Sequence, residues 1–200
     1  MRKKLLKLIV PAALLFVTGQ STFAQFEQKF TLQTSGGMVM ALSPDVFTEI
    51  FEFGFSIDAG AQYNFSRKFS IVGMAKYATF IFMPDELFHL EKATYNMLGV
   101  SLCPKVRFFT RSRLNPYLYG GLSMNYIGIK FSLDGIETRS KKEPVCFGAL
   151  GGLGIDYRLN DNIALFWQGG VNRVDYDVIY IDGFFQQIGV NINMFKAKSL

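Results

Sequence analysis

The 200-residue sequence is 50% hydrophobic and 16% aromatic, and it carries 21 Lys and Arg against 16 Asp and Glu. Four of those basic residues lie within residues 1–24, so 17 basic residues oppose 16 acidic ones in the rest of the chain. Nucleic-acid binding needs a basic stripe, and this balance argues against a nucleic-acid partner.

Residues 1–24 have the three parts of a secretory signal peptide: a basic start, an apolar run over 8–17, and small residues up to Ala24. The apolar run is shorter than the roughly 20 residues that a membrane-spanning helix needs, which favours a cleaved signal over a transmembrane anchor. We therefore predict cleavage after Ala24 and a mature domain over 25–200.

A regular alternation starts at position 51, where every second residue is apolar and Gly, Ser, Asp, Gln or Asn fills most of the gaps. The apolar positions are Phe51, Phe53, Phe55, Ile57, Ala59, Ala61, Tyr63 and Phe65. Such a strand has one apolar and one polar face. It runs about twice the ordinary strand length, which is typical of a membrane-spanning β-barrel.

Comparable segments recur along the chain, near residues 28–41, 51–65, 69–82, 94–109, 117–131, 145–159, 163–176 and 184–195. Their connections alternate in length: short polar turns lie at 64–68, 110–116 and 160–162, and longer links lie between the other pairs. An even strand count with this alternation is typical of outer-membrane barrels, which have short periplasmic turns and longer external loops. The predicted fold is all-β: an eight-stranded antiparallel up-and-down transmembrane β-barrel, surrounded by outer-membrane lipid in a Gram-negative cell.

Charged residues share a strand face with the glycines in the clearest segments, so that face is predicted to line the lumen. Lipid would reject a basic side chain at mid-depth at a cost of about 2–4 kcal/mol. The predicted lumen charges are Glu52, Asp58, Lys76, Lys105, Arg107, Asp156 and Arg158. We expect paired charges, including Asp58 with Lys76, to plug this narrow space. Two alternatives remain, a narrow gated pore and a soluble lipid-binding barrel, and the second would need an apolar lumen.

Aromatic residues cluster where the strands should meet the two membrane surfaces. The predicted periplasmic girdle consists of Phe65, Phe69, Phe108, Tyr117, Tyr157 and Phe195. The predicted outer girdle consists of Phe51, Phe53, Tyr77, Tyr126, Phe131 and Phe147.

Little in the sequence indicates catalysis or cofactor binding. His89 is the only histidine, which excludes a histidine-based metal cluster. A lipid-hydrolysing site would need a nucleophile beside His89, and no serine stands in such a setting. Cys103 and Cys146 are expected to be free, buried thiols, because their predicted heights on non-adjacent strands make disulfide closure difficult.

Two segments carry a family resemblance: Leu102–Phe109, with a mid-strand proline and a basic, aromatic end, and Asn115–Leu122, with its Pro-Tyr, glycine-rich opening. They resemble the small eight-stranded outer-membrane β-barrel proteins of the OmpX and OmpA type, and within them the PorT-like barrel domain. Cys103 departs from the aliphatic residue more common in that family, and the last strand runs on to Leu200. The resemblance implies outer-membrane residence and no single activity.

These observations predict a non-enzymatic, monomeric barrel without cofactor or metal that displays extracellular loops. The alternative is an accessory component of an outer-membrane secretion or assembly complex, which the PorT-like resemblance implies. Apolar residues are predicted at the outer rim, where they either form a protein partner surface or extend the strands above the bilayer, the interpretation that we favour. They are Phe47, Phe88, Ile179, Tyr180 and Ile181.

Overall fold

The computed structural model describes residues 30–51, 53–80, 92–109, 112–133, 136–139, 145–176 and 179–194. The elements are β1 (Phe30–Ser43), α1 (Asp45–Ile50), β2 (Phe53–Asn64), β3 (Phe69–Phe80), β4 (Lys92–Arg107), β5 (Leu114–Leu133), β6 (Ile136–Arg139), β7 (Val145–Arg158), β8 (Ile163–Tyr176) and β9 (Ile179–Asn193). In these ranges, no helix has the length and hydrophobicity needed to cross a membrane.

The strands form a closed antiparallel barrel. β1 pairs with β2 on one side and with β9 on the other, so that the first and last strands close the sheet. β5 pairs with β4 and β7, while the short β6 extends β5 at Lys130–Leu133 only. Eight of the described strands therefore form the barrel, which confirms the predicted fold class.

The two ends of the barrel differ in their connections. We call the end with the β2–β3, β4–β5 and β7–β8 connections the short-turn end, and the opposite end the long-loop end. Phe30 and Met194 lie together at the short-turn end, where the Met194 amide donates to the Phe30 carbonyl at 3.1 Å. The strand bounds leave only 65–68, 108–113 and 159–162 for the three connections at this end, as the predicted short turns require.

Three regions near the long-loop end differ from the sequence prediction. The long link predicted between the segments 117–131 and 145–159 contains the strand β6, which pairs with the extended end of β5. The expected loop at 43–49 contains helix α1. β9 begins at Ile179 instead of 184, because Ile179–Gly183 continues the pairing with Asn172–Tyr176 of β8. Ile181 is 7% exposed and Tyr180 is 56% exposed, so this stretch extends the wall of the barrel with one face in and one face out.

The barrel is apolar outside and largely polar inside. In β2, Phe55 and Ile57 are 52% and 65% exposed, whereas the intervening Ser56 and Asp58 are 2% and 5% exposed. Large exposed apolar side chains continue around the wall, including Leu32, Leu98, Val100, Leu102, Leu118, Leu122, Leu153, Trp167, Val171 and Ile188. A continuous apolar exterior of this extent is unlike the surface of a soluble monomer.

Candidate functional site

The lumen nearest the short-turn end is organised around the carboxylate of Asp156. Lys105 Nζ lies 3.0 Å from Asp156 Oδ2, and Arg107 Nε lies 3.1 Å from the same oxygen. Asn191 Nδ2 donates to Asp156 Oδ1 at 3.1 Å. Lys105 and Arg107 both reach inward because they stand two residues apart on β4. We call this group the Asp156 network.

Amide side chains carry the Asp156 network across the lumen. Arg107 also donates to Asn64 Oδ1 at 3.2 Å, and Gln62 Nε2 donates to the same oxygen at 2.6 Å. Asn64 donates to Thr31 Oγ1 at 3.2 Å. The chain of contacts thus joins β7, β4, β2 and β1.

Tyr117 occupies the same layer because a glycine makes room for its ring. Lys105 Nζ lies 3.5 Å from the centroid of the Tyr117 ring. A Cβ on Gly154, which pairs with Tyr117, would clash with the ring carbon Cζ and with the tyrosine hydroxyl. Absence of a side chain at Gly154 therefore allows the ring to fill the lumen.

Glutamines dominate the middle layer of the lumen. Gln187 Nε2 donates to Asp58 Oδ2 at 2.8 Å and to Ser56 Oγ at 3.0 Å, while Gln168 Nε2 donates to Gln187 Oε1 at 2.7 Å. Asp58 and Lys76 also line a cavity of about 30 Å³. That volume has room for one or two water molecules.

At the long-loop end, aromatic side chains replace the polar ones. Helix α1 begins after Pro44, whose carbonyl accepts from the amides of Phe47 and Thr48 at 2.9 and 3.1 Å. Phe47 packs against Phe51 and Tyr95 with ring centroids 5.0 and 4.8 Å apart. Phe51 and Tyr95 are each 1% exposed and belong to the buried apolar cluster of the barrel interior, which extends from this end as far as Tyr117. We call Phe47, Phe51 and Tyr95 the aromatic plug.

No known family sequence model matches the chain, and no curated protein matches it. Several solved structures do match its fold. Neisserial surface protein A superposes with a TM-score of 0.58 at 18% identity, over 85% of this chain and 100% of that protein. OprG from Pseudomonas aeruginosa gives 0.52 at 14% identity, over 84% and 98%. The attachment invasion locus protein Ail of Yersinia pestis, in complex with the heparin analogue sucrose octasulfate, gives 0.53 at 13% identity, over 82% and 99%.

The chain has the fold of the small eight-stranded outer-membrane β-barrels. At these identities the likeness concerns the fold alone, and the PorT-like resemblance stays a prediction.

Five of the predicted lumen charges face into this small barrel and contact other side chains there: Asp58, Lys76, Lys105, Arg107 and Asp156. Two predictions are corrected. Arg158 is exposed, because it is the last residue of β7 and extends past the end of the lumen. Asp58 and Lys76 are paired in register but form no direct ion pair. The Lys76 ammonium instead lies 4.2 Å from the centroid of the Phe185 ring. Glu52 lies outside the described residues.

Most described girdle residues point outward, and two point inward. Phe65, Phe69, Phe108, Tyr157, Tyr77, Tyr126 and Phe147 are 43–70% exposed, and Phe53 is partly exposed. Tyr117 is 2% exposed, because β5 pairs it with Arg107 and Gly154, which both face the lumen. Phe51 is buried because it follows α1 and precedes β2, so the strand alternation does not apply to it. Phe195 and the side chain of Phe131 lie outside the described part.

The structure also places the cysteines. Cys103 and Cys146 are both buried and neither forms a disulfide, as predicted. His89 lies outside the described residues, and within them no group of three or more His, Cys, Asp or Glu side chains could hold a metal ion.

Two features were not predicted from the sequence: the aromatic plug and the hydrogen bond between the side chains of Gln168 and Gln187. Alternation places Gln168 and Gln187 on the inner faces of β8 and β9, but the hydrogen bond between them depends on the register of the two strands. In contrast, no sequence signal marked Phe47 and Phe51 as lumen residues.

Proposed function

We propose that this protein is a non-catalytic outer-membrane barrel whose rigid wall holds extracellular loops in place. The apolar exterior supports this proposal, because lipid is the solvent that such a wall requires. No cofactor or metal takes part in the proposed role, and the barrel acts as a monomer in outer-membrane lipid.

The observation that carries the proposal is the packing of side chains across the lumen at two heights, which supports a closed barrel. The Asp156 network crosses it near the short-turn end, and the aromatic plug fills it at the long-loop end. Eight strands enclose only enough room for side chains. A scaffold role therefore fits this lumen better than a conduction role does.

Export and orientation complete the proposal. A signal peptide over 1–24 would direct the chain out of the cytoplasm, with cleavage after Ala24. The short-turn end would face the periplasm, because outer-membrane barrels have short turns on that side and long loops outside.

Two measurements test this role. Membrane fractionation should place the protein in the outer membrane, with a gel mobility that changes on boiling. Refolded protein in planar bilayers should give no single-channel current. A soluble protein without a heat-dependent shift would contradict the membrane assignment, and a steady conductance would contradict the closed lumen.

The alternative is an accessory role in a secretion or assembly complex, and the exposed side chain of Tyr180 is the observation that favours it. Its ring is 56% exposed near the long-loop end, and the Arg173 guanidinium lies 5.3 Å from the ring centroid. A photocrosslinker at Tyr180 should then capture a specific membrane protein, while one at Leu122, on the mid-wall, should capture none. If the two positions gave the same result, the accessory role would lose its support.

A further inference from the structure

The short-turn end carries a concentration of exposed positive charge. Arg67 and Lys68 lie in the β2–β3 turn, Arg113 precedes β5, and Arg158 ends β7. All four are exposed, and Asp161 is the exposed acidic residue among the described residues at this end. We call the four cationic side chains the basic arc.

Backbone hydrogen bonds make the basic arc continuous. The Arg107 amide donates to the Lys68 carbonyl at 2.8 Å, which joins the β2–β3 turn to the end of β4. The Arg158 amide donates to the Arg113 carbonyl at 2.8 Å, which joins the start of β5 to the end of β7. Because β4 and β5 are neighbours, the four cations follow one side of the rim.

Local turn chemistry fixes where these charges point. Ser66 Oγ accepts from the amides of Lys68 and Phe69 at 3.2 and 3.0 Å, and this tight turn leaves Arg67 and Lys68 exposed. Arg107 differs, since its guanidinium turns inward to Asp156. Within the described residues, none of the four arc side chains forms an ion pair.

Exposed aromatic rings lie beside the cations of the basic arc. Phe65 and Phe69 flank the first two cations and are 45% and 44% exposed, while Tyr157 precedes Arg158 and is 44% exposed. Aromatic rings of this kind mark the membrane–water boundary. The neighbouring cations therefore lie at the depth of lipid headgroups, where Arg binds phosphate with two parallel hydrogen bonds.

We propose that the basic arc binds the phosphate headgroups of anionic phospholipids in the leaflet at the short-turn end. This inference rests on the proposed membrane insertion. Each Lys or Arg near an anionic surface strengthens binding by about fivefold. The attraction weakens as salt shortens the Debye length.

Energy transfer from Trp167, the only tryptophan, offers a direct test. Trp167 lies on the outer face of β8, 38% exposed and four positions from the strand start at the short-turn end. The full refolded protein is placed in zwitterionic bilayers containing a trace of phosphatidylglycerol or of phosphatidylcholine, both with the same acyl-chain acceptor. Transfer to the anionic probe should exceed transfer to the neutral probe several-fold, and added salt should reduce the excess.

Two variants separate charge from shape. Changing Arg67, Lys68, Arg113 and Arg158 together to Gln should lower the preference by at least about fivefold. Changing the three arginines to Lys keeps the charge and should keep most of the preference, because only the paired hydrogen bonds of the guanidinium groups are lost. Both variants must show the heat-dependent gel shift, which verifies that the barrel has folded.

The inference fails if the wild-type protein inserts with the gel shift but shows equal transfer to both probes. It also fails if the glutamine variant keeps the full preference. Loss of the preference in inorganic phosphate, compared with chloride at the same ionic strength, would identify a site for free phosphate and would overturn a lipid site. Failure of the wild-type protein to insert into any vesicle would instead contradict the proposed function.

Discussion

Replacing Asp156 with Ala should be among the most damaging single changes in the lumen. The Asp156 carboxylate receives Lys105 at 3.0 Å, Arg107 at 3.1 Å and Asn191 at 3.1 Å. The side chains of Lys105 and Arg107 are only 4% and 13% exposed, so the change leaves two cations enclosed without their counter-ion. Breaking a buried pair in this way costs about 3–5 kcal/mol.

Urea titration of the refolded barrel in lipid vesicles measures this loss through the fluorescence of Trp167. Unfolding and refolding curves must coincide for a free energy to be defined. Asp182→Ala serves as the matched control, because its ion pair with Arg173 at 2.7 Å lies outside the lumen near the long-loop end, where the Arg173 side chain is 62% exposed. That variant should unfold close to the wild-type midpoint. Adding Lys105→Met to Asp156→Ala should recover part of the loss, since one enclosed cation is then removed.

The reasoning would be refuted if Asp156→Ala unfolded within about 1 kcal/mol of the wild-type protein. Such a small loss would mean that water reaches the lumen freely and solvates both cations, and the proposed closure at this level would be wrong.

Three further predictions concern packing and closure. Gly154→Ala should destabilise the barrel by about 1–3 kcal/mol in the same titration, because its Cβ meets both the Tyr117 ring and the Trp167 carbonyl oxygen; Tyr117→Leu should relieve only the part due to the ring, and an undiminished loss would show that the ring contributes nothing to it. Phe51→Ala should cost about 3–5 kcal/mol without producing current in planar bilayers, because the Asp156 network still crosses the lumen; a new conductance would show that the aromatic plug alone closes it. Cys103 and Cys146 should resist a maleimide in the folded barrel and react in urea, so rapid labelling before unfolding would disagree with their burial.

Much of the fold follows from the sequence because alternation determines which side chains share a face. β8 was predicted over 163–176 and spans Ile163–Tyr176. One face of such a strand must contact lipid and the other must fit a narrow lumen, so each residue type indicates its side.

The lumen contacts were harder to predict because they depend on the register between strands that are distant in sequence. Asp156 on β7 forms ion pairs with Lys105 and Arg107 on β4, although β5 lies between the two strands. That these residues share the inner face does not show which carboxylate pairs with which cation, and from the sequence we expected a pair between Asp58 and Lys76 instead. Tyr117 was assigned outward since tyrosine is common at membrane boundaries, whereas its pairing with Gly154 places it inside.

The aromatic plug could not be predicted for a different reason. Alternation describes extended chain, and α1 interrupts it between β1 and β2. Phe47 and Phe51 lie four residues apart, so one helical turn brings them to the same side. The apolar end of the lumen provides the surface against which this short helix packs.

Quenching of Trp167 tests the central claim that lipid covers the outer wall. The protein needs no substitution, because this residue is the only tryptophan and lies on the exposed face of β8. In vesicles of lipids brominated along the acyl chains, its fluorescence should fall strongly, while iodide in the water should quench it little. Strong quenching by iodide with no effect of the brominated chains would contradict a lipid-facing wall.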